Sequence, residues 1–209
     1  MIWLASYPRS GNTLLRTILW QCFGLRSSSI YPNDLGGNKA LEDFVGHCER
    51  EADADNRATD CDISLIKTHE LLPDDSQAIY VVRDGRAASV SLQHFYADTL
   101  TLEAVINGRH RFGTWSAHVE SWHPWDRPNT LLLKYEDLSS DLSYTLSCIS
   151  DFIQREPSHR QLPERDTIAG VDGRWVRHRT RWQDSFPDDL LGRFNALNEQ
   201  TLKKVGYPG

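Results

Sequence analysis

The stretch from Ile2 to Phe23 restricts the fold more than any other. A short apolar run, Ile2-Trp3-Leu4-Ala5, leads into a polar loop with one glycine, Ser6-Tyr7-Pro8-Arg9-Ser10-Gly11-Asn12-Thr13. After the loop, Leu14, Leu15, Ile18, Leu19, Cys22 and Phe23 recur at three- and four-residue spacing. The pattern reads strand, loop, helix. Such a turn sets up an anion site, because the first N–H groups of a helix have no intrahelical partner and its dipole favours negative charge there. Ser10 and Thr13 bring hydroxyl donors, Gly11 lets the backbone turn closely, and Arg9 brings a fixed positive charge. The same residues also describe an ordinary strand-to-helix turn capped by Ser10 or Asn12. The Walker A pattern G-x-x-x-x-G-K-[ST] is absent.

Three more apolar runs repeat the theme. Ile63-Ser64-Leu65-Ile66 runs into Lys67-Thr68-His69, Ala78-Ile79-Tyr80-Val81-Val82 into Arg83-Asp84-Gly85-Arg86, and Thr130-Leu131-Leu132-Leu133 into Lys134-Tyr135-Glu136-Asp137. Helical stripes lie between and after them: a helix through about Tyr96, another carrying Trp115, His118, Val119 and Trp122, one from about Asp141 to Ile153, and a last one from about Pro187 to Val205. Leu41, Phe44 and Val45 suggest one short helix, and residues 49–62, acidic and poor in apolar side chains, read as a surface loop. Strands alternating with helices predict an α/β fold, a mainly parallel sheet flanked by helices. Ligands of such sheets bind beyond the carboxyl ends of the strands. The polar residues that end the later strands should therefore converge on the rim that carries the opening loop.

Length and charge narrow the choices. A chain of 209 residues suits one domain, 1–209, with one sizeable core. A formal net charge of −6 argues against a broad nucleic-acid face. Cys22, Cys48, Cys61 and Cys148 are widely and irregularly spaced, which indicates neither a zinc site nor a disulfide framework and fits reduced thiols. No stretch approaches a membrane span and no targeting pattern precedes the first strand, so no membrane partner and a cytoplasmic location are expected. His110, His118 and His123 lack metal-ligand spacing, and no metal site is read.

Two groupings on that rim carry chemistry. His69, just past a buried strand and two residues from Lys67, is a candidate general base, since imidazole titrates near neutrality. Glu70 is a second, weaker candidate, and a histidine bonded only to backbone is the plainer alternative. Arg83 ends one strand, and Ser91 lies two turns into the next helix. Together they suit a second, separate phosphate. Two anion sites on one rim suggest a ligand phosphorylated at two places. The basic run Arg174 to Arg181 reads either as a solvated loop or as a lid over a polyanion.

At this point the residues resemble the sulfotransferase family that uses 3′-phosphoadenosine-5′-phosphosulfate (PAPS), most nearly its cytosolic type. Tyr7-Pro8-Arg9-Ser10-Gly11-Asn12-Thr13 is similar to the family's 5′-phosphosulfate loop, Y-P-K-S-G-T-T-W. Lys67-Thr68-His69 with Leu71-Leu72-Pro73 is similar to its K-T-H segment. Tyr80 through Ser91 and on to Phe95 is similar to its 3′-phosphate segment. Gly113-Thr114-Trp115 with His118-Val119, and Tyr135-Glu136-Asp137, resemble its G-x-W-x-x-H-V and Y-E-D segments. The likenesses keep family order over about residues 2–153. Arg9 stands where a lysine is usual, Asn12 where a threonine is, and Leu14 where a tryptophan packs on adenine. The C-terminal R-K-G-x-x-G-D-W element has only approximate counterparts in Arg174-Trp175 or Arg177-His178-Arg179 ahead of Trp182.

The resemblance implies a P-loop-like fold and sulfuryl transfer from PAPS, leaving 3′,5′-ADP, to a hydroxyl or amine of a small-molecule acceptor without a metal. It implies roles as well. His69 would act as base and Lys67 would stabilise charge on the sulfuryl group. Arg9, Ser10, Gly11, Asn12 and Thr13 would hold the 5′ side. Arg83 and Ser91 would hold the 3′-phosphate, Tyr135 would contact the nucleotide, and Arg177 and Arg179 would close over it. A small-molecule or nucleotide kinase of similar fold, and a non-catalytic 3′,5′-ADP-binding module, remain as alternatives. Neither the acceptor nor the oligomeric state is specified.

Overall fold

The computed structural model describes residues 1–49, 63–163, 167, 170–171 and 181–209. Five strands run through it: β1 (Ile2–Ala5), β2 (Ser28–Ser29), β3 (Leu65–Thr68), β4 (Gln77–Val82) and β5 (Thr130–Lys134). They form one sheet in the order β2-β3-β1-β4-β5, every neighbouring pair parallel. The first strand of the chain is thus the central one. Ala5 pairs with both Thr68 and Tyr80, and Val82 pairs with Lys134. The carboxyl ends of β1, β3, β4 and β5 therefore share one rim.

The described helices are α1 (Asn12–Phe23), α2 (Lys39–Val45), α3 (Gly85–Phe95), α4 (Leu102–Ile106), α5 (Trp115–Trp122), α6 (Tyr135–Ser140), α7 (Leu142–Ile153) and α8 (Asp188–Lys204). Side chains of successive strand residues point to opposite faces, and the core divides accordingly. Ile2, Leu4, Leu65, Ile79, Val81 and Leu133 pack with α1 and α7 through Leu15, Ile18, Leu19, Leu146 and Ile149. Trp3, Ala5, Ile66, Tyr80 and Val82 pack on the other face with α3, α5 and α8 through Ala88, Trp115, Val119, Trp122, Phe194 and Leu202. Trp115 and Trp122 are thereby core residues. Strands buried on both faces need continuous apolar runs, which is why β1 and β4 were so readable.

Local chemistry sets the helix ends. Asp84, Thr101, Thr114 and Asp141 each accept a backbone N–H from the first turn of the helix that follows. α1 ends on Gly24 and α2 on Gly46, both at positive φ. The structure differs from the sequence reading in four places. β3 continues through Lys67 and Thr68, so these are strand residues rather than loop residues. The two-residue strand β2 and the helices α4 and α6 lie in stretches read as irregular or as strand-following loop. Residues 50–62, read as a surface loop, lie outside the described residues.

Candidate active site

The opening loop is built around two left-handed residues, Arg9 (φ 66°) and Gly11 (φ 105°). Gly11 needs that freedom twice over: a Cβ there would stand 2.5 Å from Cδ2 of Tyr135. The Tyr135 ring, at the start of α6, thus lies directly against the loop, and the Arg83 guanidinium lies 4.4 Å from its centroid. Arg83 Nη1 donates to the carbonyl oxygen of Arg9 at 3.0 Å, and Arg9 Nε donates to Ser91 Oγ at 3.3 Å. The expected 5′ and 3′ halves of the site are joined by these bonds. Arg9, Arg83, Ser91 and Tyr135, read from distant parts of the chain, meet.

The rest of the loop divides into donors and scaffold. Ser10 is 1% exposed, and its Oγ has no hydrogen-bond partner among the described residues; Arg83 Nε has none either. Buried polar atoms are ordinarily paired. A hydroxyl and a guanidinium N–H left open beside a helix N-terminus suit an anionic ligand with phosphate at two places. Asn12 behaves differently. Its Nδ2 donates to the carbonyl of Leu4 at 2.8 Å and to Ser6 Oγ at 3.3 Å, so this nitrogen ties the loop to β1, while its Oδ1 has no partner among the described residues. Thr13 sits half-buried in the first turn of α1. Arg177 and Arg179 lie outside the described residues.

His69 is fixed by the loop itself. Its Nδ1 is 2.8 Å from the carbonyl oxygen of Ser6. A carbonyl only accepts, so Nδ1 carries the proton and Nε2 keeps its lone pair. Burial, followed by the nearby Lys67 charge, holds the imidazole pKa well below its ordinary value. The ring is neutral at physiological pH. Tyr31 stacks on it with centroids 5.8 Å apart, and Phe112 meets it edge-on at 5.9 Å. Behind it stands His118, fully buried, with Nε2 donating to the His69 carbonyl at 3.0 Å and Nδ1 accepting from Tyr80 Oη at 2.8 Å. Burial pushes the pKa of His118 down to about 4.

Lys67 is 8% exposed, and its Nζ donates to Asp34 Oδ1 at 2.5 Å. The other Asp34 oxygen accepts from Arg16 Nη1 at 2.6 Å. Arg16 also donates Nε to Ser27 Oγ at 2.8 Å, and its Nη2 lies 2.9 Å from His47 Nδ1. Burial alone would raise the Asp34 pKa; the Lys67 and Arg16 charges overcome it and hold it at about 2. Glu70, the second candidate base, accepts from Tyr31 Oη at 3.1 Å and from Arg111 at 2.5 Å, so its Oε1 is already engaged. Asp34, Arg16, Tyr31 and the supporting role of His118 were missed from sequence. A signal existed for Arg16, a charge beside Leu15 and Ile18 in the apolar stripe of α1, which requires a buried partner.

The sulfotransferase domain profile matches residues 1–168. Human sulfotransferase 1E1 is 27% identical over 181 residues, 74% of this chain and 59% of that protein. Mouse sulfotransferase 4A1 is 26% identical over 234 aligned positions, 97% of this chain and 80% of that protein. Among solved structures, mouse sulfotransferase SULT7A1 in complex with PAP superposes with a TM-score of 0.68 at 19% identity, covering 96% of this chain and 83% of that one. Retinol dehydratase in complex with retinol and PAP gives 0.70 at 17% identity, covering 100% and 82%. The fold is the one these enzymes share. The chain belongs to the sulfotransferase-domain family.

Proposed function

We propose that this protein, acting as a single domain, transfers a sulfuryl group from PAPS to a hydroxyl or amine of a small acceptor, with His69 as general base. One observation carries the reading. The carbonyl of Ser6, the first residue of the donor loop, holds His69 Nδ1–H, so the base is bolted to the element that would hold the donor, with Nε2 left basic. PAPS supplies an activated sulfuryl group and leaves as 3′,5′-ADP. His69 Nε2 takes the acceptor proton as the acceptor atom bonds to sulfur and the bond from sulfur to the 5′-phosphate oxygen breaks. Arg9, Ser10 and the amides that open α1 lie where negative charge develops on that leaving oxygen. Lys67 supplies positive charge beside the sulfuryl group, and Arg83 with Ser91 positions the nucleotide through its 3′-phosphate. Positioning and charge stabilisation do most of the work in such in-line transfers.

His69→Ala tests the assignment. Turnover should fall by about 10²- to 10⁴-fold, the usual contribution of a general base. The 3′,5′-ADP affinity, measured by calorimetry, should stay within a factor of about three, since the arginines that hold the nucleotide are untouched. Turnover equal to wild type in a PAPS-coupled acceptor screen would remove His69 from the mechanism.

A further inference from the structure

The Arg16–Asp34–Lys67 chain is more than a core ion pair. Its side chains are 0%, 7% and 10% exposed, so three charges sit almost out of water. One carboxylate faces two cations, which gives the cluster a net charge of +1 among the described residues. Arg16 and Asp34 alone would have been neutral and sufficient as a structural pair. The added lysine lies two residues before the base, and its positive charge is felt at His69. The backbone that delivers Asp34 is also unusual. Leu35, next to it, has a φ of 61°, in the left-handed region that such a side chain rarely adopts, whereas Asn33, at 55°, is of a type that enters it readily. Strain of this kind persists only where surrounding contacts enforce it, and it gathers at functional sites.

On the sulfotransferase reading above, we propose that Asp34 is the positioning residue of the transfer site: one of its oxygens holds the Lys67 ammonium beside His69, while Arg16, on the other oxygen, serves the fold. Lys67 then presents its charge to the sulfuryl group from a set place. Asp34 touches neither donor nor acceptor; it acts through the lysine. Around Lys67 stand Asp34 and Arg16, with Arg9 across the rim, His69 on its own strand end, and the Tyr31 ring 5.5 Å from Nζ. His47 lies beyond Arg16. Burial and the two arginines favour loss of the lysine proton, and Asp34 opposes it. Without the carboxylate, Lys67 should deprotonate at lower pH.

The test pairs Asp34→Asn with Arg16→Met in the full chain and has two readouts. The first is the Lys67 titration followed by the NMR shift of its ε-carbon, which requires no turnover. The second is the pH profile of kcat with PAPS, beside 3′,5′-ADP affinity. In Asp34→Asn the Lys67 titration should move to lower pH, and kcat at pH 8 should fall by about 10- to 100-fold, the size of a lost charge-assisted contact to a transition state. Nucleotide affinity should change by less than about threefold. In Arg16→Met, thermal stability should drop while Lys67 stays protonated and kcat is kept at a permissive temperature. An unmoved Lys67 titration in Asp34→Asn overturns the proposal, as does a moved titration with unchanged kcat. Equal loss of kcat in both variants also overturns it, because it assigns the cluster to fold maintenance. If Asp34→Asn fails to fold, Asp34→Glu replaces it, with a displaced lysine and reduced kcat expected and unchanged values counting against. A wild type that binds 3′,5′-ADP but transfers nothing would sink the transferase reading and the catalytic half of the proposal, while the lysine titration still decides whether Asp34 holds Lys67.

Discussion

At the scale of single residues, Gly11 shows how closely the parts of the site depend on one another. Its φ of 105° is one that other residues avoid, and the space for a Cβ is filled by the Tyr135 ring. Gly11→Ala must therefore push on Tyr135, which carries Arg83, which in turn holds the carbonyl of Arg9. A change in the opening loop thus reaches Arg83 through one ring. The expected result is a loss of about tenfold or more in 3′,5′-ADP affinity by calorimetry, equivalent to the 1–3 kcal/mol typical of forced backbone strain. In Gly11→Ala with Tyr135→Ala the loss should be smaller than the sum of the two single losses, because with the ring gone the clash goes while the strain stays. Strictly additive losses would mean that the ring and the loop act independently. That His69, Arg83 and Ser91 stand on one rim was readable from sequence, because each lies at a fixed offset beyond an apolar run. Asp34 was not: its partners lie 18 residues before it and 33 after it, and nothing local marks it as more than a turn residue.

At the scale of elements, the turn from β4 into α3 joins the site to the end of the chain. Asp84 caps α3 by accepting the backbone N–H of Arg86 at 2.9 Å and also grips the Arg86 guanidinium at 2.9 and 3.1 Å. Arg86, 4% exposed, donates to the carbonyl of Pro208 at 2.8 Å and lies 4.8 Å from the Trp182 ring. One side chain thus ties α3, the segment after α8 and the segment before it. Breaking a buried pair of this kind leaves a desolvated carboxylate, at a cost of about 3–5 kcal/mol. With about 2–4 °C of melting temperature per kcal/mol in a chain of this size, Arg86→Ala should melt roughly 6–20 °C lower by calorimetric scan. Arg86→Lys should recover only part of that, because one ammonium cannot make the forked contact. A drop under about 2 °C would show that the clasp contributes little. The elements that sequence revealed are those with apolar runs or apolar periodicity, β1, β3, β4, β5, α1, α2, α3, α5, α7 and α8. β2 is two serines at the sheet edge, α4 has five residues, and α6 begins within the polar Tyr135-Glu136-Asp137 run, so periodicity had nothing to act on.

At the scale of the whole molecule, the buried histidines make stability depend on pH in a defined window. His69 and His118 both sit on the base side of the rim, and burial lowers both pKa values, that of His118 to about 4. In the unfolded chain both titrate near 6.5. Below that pH the unfolded state binds protons that the native state refuses, so stability is complete above about pH 6.5 and falls as the medium is acidified towards pH 4. Asp34 acts in a separate window. Held at about 2 in the fold, it contributes stability above the ordinary carboxylate range that is lost only as pH falls from there towards 2. Between pH 5.5 and 4.5 His118 should contribute a slope of up to about 1.4 kcal/mol per pH unit, and His69, with His47 and His110, whose pKa values burial also lowers, adds to it in the same direction. His118→Gln separates them, since a glutamine amide can replace the Nε2–H that donates to the His69 carbonyl and has no proton to gain in this range. The variant should be weaker than wild type at pH 7 in urea unfolding, because the bond from Tyr80 is disturbed. Its stability should fall with acid less steeply than that of wild type, by up to about 1.4 kcal/mol per pH unit. An unchanged slope would mean that His118 takes up its proton without unfolding, and that the support behind His69 is looser than its hydrogen bonds imply.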